Sequence, residues 1–385
     1  MPSTPDEPLL LTPGPLTTSA TVREAMRRDW GSRDTDFIAM TARVRARLVA
    51  IAGDAAGAAL VAVPLQGSGT FAVEAALGTF VGPRDKVLVA VNGAYGQRMV
   101  RMCEVMRRPH VVVESAEDAP VSPASLDAAL AADAGITHVA VVHCETTSGI
   151  LNPLEDLAAV VARHGRRLLV DAMSAFGALP LDMTVLACDA VVASANKCLQ
   201  GAPGIGFVVA RREALAAAAG NAHALSLDLH DQWRGFERTG QWRFTPPTHV
   251  LAAFDRALDE FLAEGGVKGR GERYRRNCRV LVDGLRAMGF ETLLPDHLQA
   301  PIIVTVRTPA DPRFRFETFY DALRARGYVI YPGRLTVADS FRVGCIGHLD
   351  ETDMRGALAA MRQTLRAMGV VDCRPAARAS STAAR

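Results

Sequence analysis

The 385-residue chain is 49% hydrophobic and 22% charged, with a formal net charge of +2. Its length leaves room for one large or two medium folding units around a substantial core, and its near-neutral balance argues against nucleic acid or an anionic membrane as a partner. No run of 18 apolar residues is free of Gly, Pro or charge, and the acidic, proline-rich opening stretch lacks the basic start of a secretion signal, which points to a cytoplasmic protein.

In chain order, short β-rich segments fall at 60–65 (LVAVPL), 86–91 (KVLVAV), 110–115 (HVVVES), 138–144 (HVAVVHC), 167–172 (RLLVDA), 190–195 (AVVASA) and 206–211 (GFVVAR). Most are apolar throughout rather than alternating, the pattern of strands covered on both faces. Helical patterns separate several of them, as at 70–81 and 153–165. Strand and helix in alternation predict an α/β fold with a mostly parallel central sheet and helices on both faces. Only NKCLQGAPGI separates the last two strands, too short for a crossover helix, so that pair is expected to be antiparallel. After residue 245 two amphipathic helices (247–266 and 271–289) lead into strands at 301–307, 328–333 and 340–347. A helix near 315–326 and a last helix from about Asp350 complete what reads as a smaller α+β domain. The seven cysteines never fall at CxxC spacing, so free thiols are expected, with neither a disulfide framework nor a metal site.

Only three of the 43 basic residues are lysines: Lys86, Lys197 and Lys268. Lys86 and Lys268 fall in turn-like, solvated sequence, whereas Lys197 sits between two apolar runs in VVASANKCLQGAPGIGFVV. A chain that otherwise writes positive charge as Arg uses Lys there for a primary amine, which loses its proton and forms a Schiff base as a guanidinium does not.

Other features fall at strand ends, where open α/β sheets bind ligands. In QGSGTFAVEA, residues Ser68, Gly69 and Thr70 open a helix, and amides and hydroxyls at a helix N-terminus suit a phosphate. Asp171 closes RLLVD, where a carboxylate suits a protonated ring nitrogen, and Tyr95 in VNGAYGQR offers a face for a flat ring. A phosphate, a protonated pyridine, an aldehyde that takes an amine and a ring to stack on together describe pyridoxal 5′-phosphate. The absence of GxGxxG argues against a nucleotide-binding reductase, and the pairing of Asp171 with Lys197 argues against a non-catalytic binding protein.

The stretches LLLTPGPLTTS, DWGSRDTDF, QGSGTFAVEA, HCETTSGILNP, DAMSAFG, SANKCLQGAPGIGFV, QWRFTPPTH and FRVGCIGHLD span residues 9 to 350. On these the chain resembles the class-V aminotransferases, and DWGSRDTDF and SANKCLQG point within them to the phosphonate-handling branch. Asn196 before the lysine and Tyr95 at the stacking position stand where the alanine–glyoxylate and serine–pyruvate branches usually carry Gln and Trp. Those two branches remain the alternative.

The resemblance implies a fold-type I homodimer that moves the amino group of 2-aminoethylphosphonate to pyruvate, in phosphonate degradation. It further implies that Lys197 forms the Schiff base and that Asp171 pairs with the ring nitrogen. Ser68, Gly69 and Thr70 would hold the cofactor phosphate, Tyr95 and Asn196 the ring, and Thr147 would lie near the ring hydroxyl. Thr245 would reach the phosphate of the neighbouring subunit's cofactor, and Arg342 would bind the substrate carboxylate. Arg33 and the backbone around Pro13 and Gly14 are further candidates for the phosphonate. The implied organisation is a segment 1–20 that contributes to the site, a large domain 21–255, a small domain 256–370, and a tail 371–385 without structure.

Overall fold

The computed structural model describes residues 7–335 and 338–376. Seven strands form the main sheet: β1 (Leu60–Gln66), β2 (Lys86–Val91), β3 (His110–Glu114), β4 (Ile136–Val142), β5 (Arg167–Asp171), β6 (Ala190–Ser194) and β7 (Ile205–Arg211). Their spatial order is β1-β7-β6-β5-β4-β2-β3. Only β7 runs against its neighbours, pairing antiparallel with both β1 and β6, while β6-β5, β5-β4, β4-β2 and β2-β3 are parallel. The short link between β6 and β7 enforces this reversal, since a parallel return needs a crossover of a dozen residues or more.

The sheet is buried on both faces. One face packs under α1 (Thr35–Ile51) and the later helix α4 (Thr248–Ala263) through Val44, Leu48, Phe254 and Phe261. The other packs under α2 (Gly69–Phe80) and α3 (Ala94–Val105) through Val73, Leu77, Met99 and Met102. Parallel pairing brings the C-terminal ends of β4 and β5 level, with Val142 beside Asp171, and puts Ser194 at the end of β6 opposite Gly206.

Helix α5 (Gly266–Ala287) carries the chain from one core to the next. Its Tyr274 belongs to the sheet's core, whereas Cys278, Leu281 and Leu285 belong to a third core with Phe319, Phe341 and Met361. The changeover between the two cores therefore falls inside α5, since α4 gives Leu251, Phe254, Leu258 and Phe261 to the sheet's core and packs Ala253 and Ala257 against Val22 and Ala202. Periodicity shows that a helix buries a stripe, not what it buries it against. In the small unit, β8 (Ile303–Arg307), β9 (Tyr331–Pro332) and β10 (Ser340–Gly344) form an antiparallel sheet in the order β8-β10-β9. Helix α6 (Glu351–Ala367) begins at Asp350, whose side chain caps it in a reciprocal box with Asp353.

The single strand expected at 328–333 is two. Tyr328–Val329 pairs with Leu9–Leu10 of the N-terminal segment, and Tyr331–Pro332 forms the edge strand on β10. The chain changes sheets at Ile330, which is fully buried between them, and Pro332 is tolerated because it lies at an edge. Of the tail expected to lack structure, residues 371–376 lie along the small unit: the Val371 amide bonds Asp311 and the Ala310 amide bonds the Arg374 carbonyl. Residues 377–385 lie outside the described residues. Among the described residues all seven cysteines are free and buried, and no helix is long and apolar enough to cross a membrane.

Candidate active site

A cavity of about 210 Å3 opens at the carboxyl ends of the parallel strands, where the fold predicts a site. Its walls include Gly14, Ser68, Gly69, Thr70, Asp171 and Lys197, with Tyr95, Arg98 and Asn196 beside them. Seven of the sequence-predicted cofactor groups thus meet in one place.

The phosphate end is the start of α2. Ser68 is its N-cap, yet its hydroxyl makes no capping bond. The Phe71 and Ala72 amides turn back to the Ser68 carbonyl, which leaves the earlier amides of the helix facing an anion site, as helix geometry requires. A serine retained there only to cap the helix would use its oxygen on that turn. The arrangement fits a phosphate.

Asp171 lies at the inner end, only 6% exposed. Its Oδ1 accepts the Met173 amide at 2.9 Å. Burial lifts its carboxyl to about 6, with the Met173 amide, Arg98 and Lys197 pulling it back. A carboxylate so poorly solvated is suited to a charged N–H donor, which is what a protonated ring nitrogen offers.

Lys197 follows β6 in a tight turn in which the Gln200 amide bonds the Lys197 carbonyl at 2.9 Å. Burial lowers its ammonium to about 8; Cys198 and Asp171 oppose that shift, while Arg342 and Arg98 add to it. Nζ donates to the carbonyls of Pro13 (2.7 Å) and Gly14 (3.2 Å). Gly14 has φ +109°, and a Cβ there would stand 2.6 Å from Lys197 Cδ, so only glycine lets the N-terminal segment pass so close. Asn196 Oδ1 accepts the Ser194 hydroxyl at 2.9 Å, which orients the residue before the lysine.

Thr147 stands behind Tyr95 rather than on the cavity wall, linked to it through Glu145. Glu145 Oε1 accepts the Thr147 hydroxyl at 2.7 Å and Oε2 accepts the Tyr95 amide at 3.1 Å. Glu145 is fully buried, and burial raises its carboxyl. Glycine at 93 makes room for it, since a Cβ there would lie 2.4 Å from Glu145 Cγ. Arg342, on β10 and 3% exposed, donates from Nη1 to the Thr146 carbonyl (3.0 Å) and from Nε to the Pro332 carbonyl (3.1 Å). Among the described residues no carboxylate is in ion-pair contact with this guanidinium. Arg33 and Thr245 are both exposed, Arg342 and Pro13 are buried, and none of the four lines the cavity within this chain.

The fold adds two groups to those expected from sequence. Arg98 lines the cavity, donates to the Thr70 hydroxyl at 3.2 Å and lies 4.7 Å over the Tyr95 ring. Its spacing of three from Tyr95 on one helix face was the available signal. Glu145 was visible only as an acid beside Thr147 at a strand end.

Residues 55–319 match the family described as Aminotransferase class-V. The chain is 56% identical over 366 residues to 2-aminoethylphosphonate–pyruvate transaminase 2 of Burkholderia lata, covering 94% of this chain and 96% of the relative. It is 54% identical to 2-aminoethylphosphonate–pyruvate transaminase of Pseudomonas aeruginosa, covering 95% and 98%. Among solved structures, pyridoxamine-pyruvate aminotransferase of Mesorhizobium loti superposes with TM-score 0.85 at 27% identity over 95% of this chain and 94% of that one. Alanine–glyoxylate aminotransferase of Nostoc sp. shares the fold, with TM-score 0.87 at 24% identity over 95% and 97%. With its fold, its lysine-centred cavity and these matches over nearly its whole length, the chain belongs to the class-V aminotransferases.

Proposed function

We propose that the protein is a pyridoxal 5′-phosphate-dependent transaminase that takes the amino group of 2-aminoethylphosphonate and delivers it to pyruvate, giving phosphonoacetaldehyde and L-alanine. The relatives' shared name supports the substrate pair. The structural observation that carries the reading is Arg342, a buried cation whose hydrogen bonds among the described residues go to backbone carbonyls, with no carboxylate in ion-pair contact. Burying a guanidinium without a counter-ion is costly, and an anionic substrate supplies one. Its planar fork donates paired hydrogen bonds to phosphonate and carboxylate oxygens alike, so one arginine serves both partners in turn.

When bound, the cofactor supplies an aldehyde for the amine and a ring that takes up the electron pair left on the substrate carbon. Ser68, Gly69 and Thr70 hold its phosphate, Tyr95 covers its ring, and Thr147 lies toward the ring hydroxyl through Glu145. Asn196 fixes the approach to the lysine. Asp171 keeps the proton on the ring nitrogen. Lys197 Nζ, which burial makes easier to deprotonate than an ordinary lysine, removes the proton from the substrate's amine-bearing carbon. The Pro13 and Gly14 carbonyls then steady the resulting ammonium. Arg33 and the loop around Pro13 and Gly14 extend the site toward the phosphonate.

The working unit is a homodimer in which Thr245 of each chain serves the other's phosphate site. Thr245 is exposed beside Phe244, which is 51% exposed, and Phe71 next to the phosphate turn is 52% exposed. Exposed large apolar side chains such as these favour cover by a partner.

Measuring kcat/KM for different donors with pyruvate tests the substrate assignment. A site fitted to phosphonate leaves buried donors unpaired when serine binds, so serine is expected to be poorer by at least about a hundredfold. Comparable values for serine and aminoethylphosphonate would favour a serine–pyruvate enzyme instead.

A further inference from the structure

Off the cavity wall, a buried polar cluster joins the Lys197 turn to the segment that follows Arg342. Gln200, three residues after Lys197, is 2% exposed and has φ +59°, a left-handed conformation uncommon for a side-chain-bearing residue. Its Nε2 donates to the Tyr274 hydroxyl and to the Gly347 carbonyl, both at 2.6 Å. The Tyr274 hydroxyl also accepts the Gly347 amide at 3.2 Å and reaches the Cys198 carbonyl at 3.5 Å. Tyr274 is fully buried, and burial raises its phenol, so it stays an O–H. Around this node Arg270 donates to the Cys198 carbonyl, and Arg273 donates to the Gly347 carbonyl at 2.7 Å. One oxygen on α5 thus touches the turn that carries Lys197 and the turn five residues beyond Arg342.

We infer that Tyr274, with Gln200, is a positioning pair for the reaction: it sets the register between the Lys197 amine and the Arg342 guanidinium. The inference rests on the proposed roles of those two groups. A substrate gripped by its anion at Arg342 and deprotonated at Lys197 must span both, so slippage between them misplaces its reacting carbon. A displacement of about 1 Å is enough to cost about a hundredfold in rate. A simple amine without an anion is not held at Arg342 and does not feel that register. The strained backbone of Gln200 has the same origin: its side-chain bonds over-determine a conformation the residue would not adopt alone.

The test compares two donors, the best anionic donor of the wild type and a neutral-tailed amine such as propylamine, followed in single turnovers by the change in visible absorbance. Tyr274→Phe is expected to slow the anionic donor by about ten- to a hundredfold and the simple amine by less than about threefold. Cofactor affinity by equilibrium dialysis should stay near the wild-type value, because the cavity wall is untouched. Gln200→Asn keeps an amide and suits a left-handed backbone but is one methylene too short to bridge, and it should reproduce the donor-selective loss. Equal losses for both donors, or no loss in either variant, would overturn the inference. Because the anionic donor is chosen from the wild type's own preference, the result stands whether or not that donor is aminoethylphosphonate.

Discussion

Lys197 and Pro13, 184 positions apart, are joined by a 2.7 Å hydrogen bond from the lysine ammonium to the proline carbonyl. The amine at the centre of the site is therefore held from outside its own sheet, by a strap of backbone in which Gly14 leaves no space for a side chain. Gly14→Ala is expected to displace Nζ, weaken cofactor binding and lower turnover. It should also destabilise the fold by about 1–3 kcal/mol, since the backbone conformation at φ +109° suits glycine. Thermal melting with and without cofactor, alongside steady-state rates, measures both effects.

Capture of the cofactor should depend on pH through the lysine. An amine that attacks an aldehyde must be neutral, and burial brings Lys197 down to about 8 from the ordinary lysine range. Below that value the ammonium dominates and capture is slow; above it the free amine dominates. The rate of appearance of the bound cofactor's visible absorbance should rise with pH to a plateau with its midpoint near 8. A midpoint above 10 would mean that Lys197 is solvated.

Asp171→Ala is expected to lower turnover by at least about a hundredfold, the usual scale for removing a group that stabilises charge developing in the transition state. Pyridoxal phosphate affinity should fall with it. Near-normal turnover would make Asp171 a turn residue that serves only the Met173 amide.

Arg98 lies against Thr70 and Tyr95, so its charge should favour the phosphate end of the ligand. Arg98→Met is expected to weaken pyridoxal 5′-phosphate by about tenfold or more, in line with loss of a charge-assisted contact. Pyridoxal, which lacks the phosphate, should lose little. Titrations of the two ligands against the same variant separate a phosphate contact from general damage.

Mixing Thr245→Ala with Lys197→Ala tests the shared site. A hybrid dimer would hold one site with both residues intact, so activity should return on subunit exchange. Absence of rescue after exchange is confirmed by mass would show that each chain completes its own site.

Much of this architecture is legible from local sequence. The apolar runs of β1, β2 and β4 to β7 are fixed by burial on both faces, while the edge strand β3 is partly exposed, and the ten-residue link NKCLQGAPGI announces the reversed strand. Lys197 stands out because lysine is scarce, and Asp171 because it ends a strand. What is not legible is pairing across the chain. Tyr274 lies among arginines in the amphipathic stretch 271–289, yet it is fully buried, and Arg270 just before that stretch is 1% exposed. Only the fold brings the Cys198 carbonyl and the Gly347 amide to them. Glu145 is hidden for the same reason, since its burial depends on glycine at 93. The division of 328–333 depends on Leu9–Leu10 arriving from the other end of the sequence.

That last arrival sets a timetable for assembly. Leu9 and Leu10 lie beside Tyr328 and Val329, and the Leu11 carbonyl accepts the Gly344 amide at 2.9 Å. The strap that steadies Lys197 thus completes its contacts only once the chain has been made through Gly344, 333 positions after Leu11. Contacts between such distant positions form late and slowly. A nascent chain can complete its large sheet, with the cavity's phosphate turn and Asp171 in place, while the lysine still lacks its brace. Shortening the chain before β10 would therefore leave the sheet intact and the amine loose, linking the integrity of the far end to the chemistry of the centre.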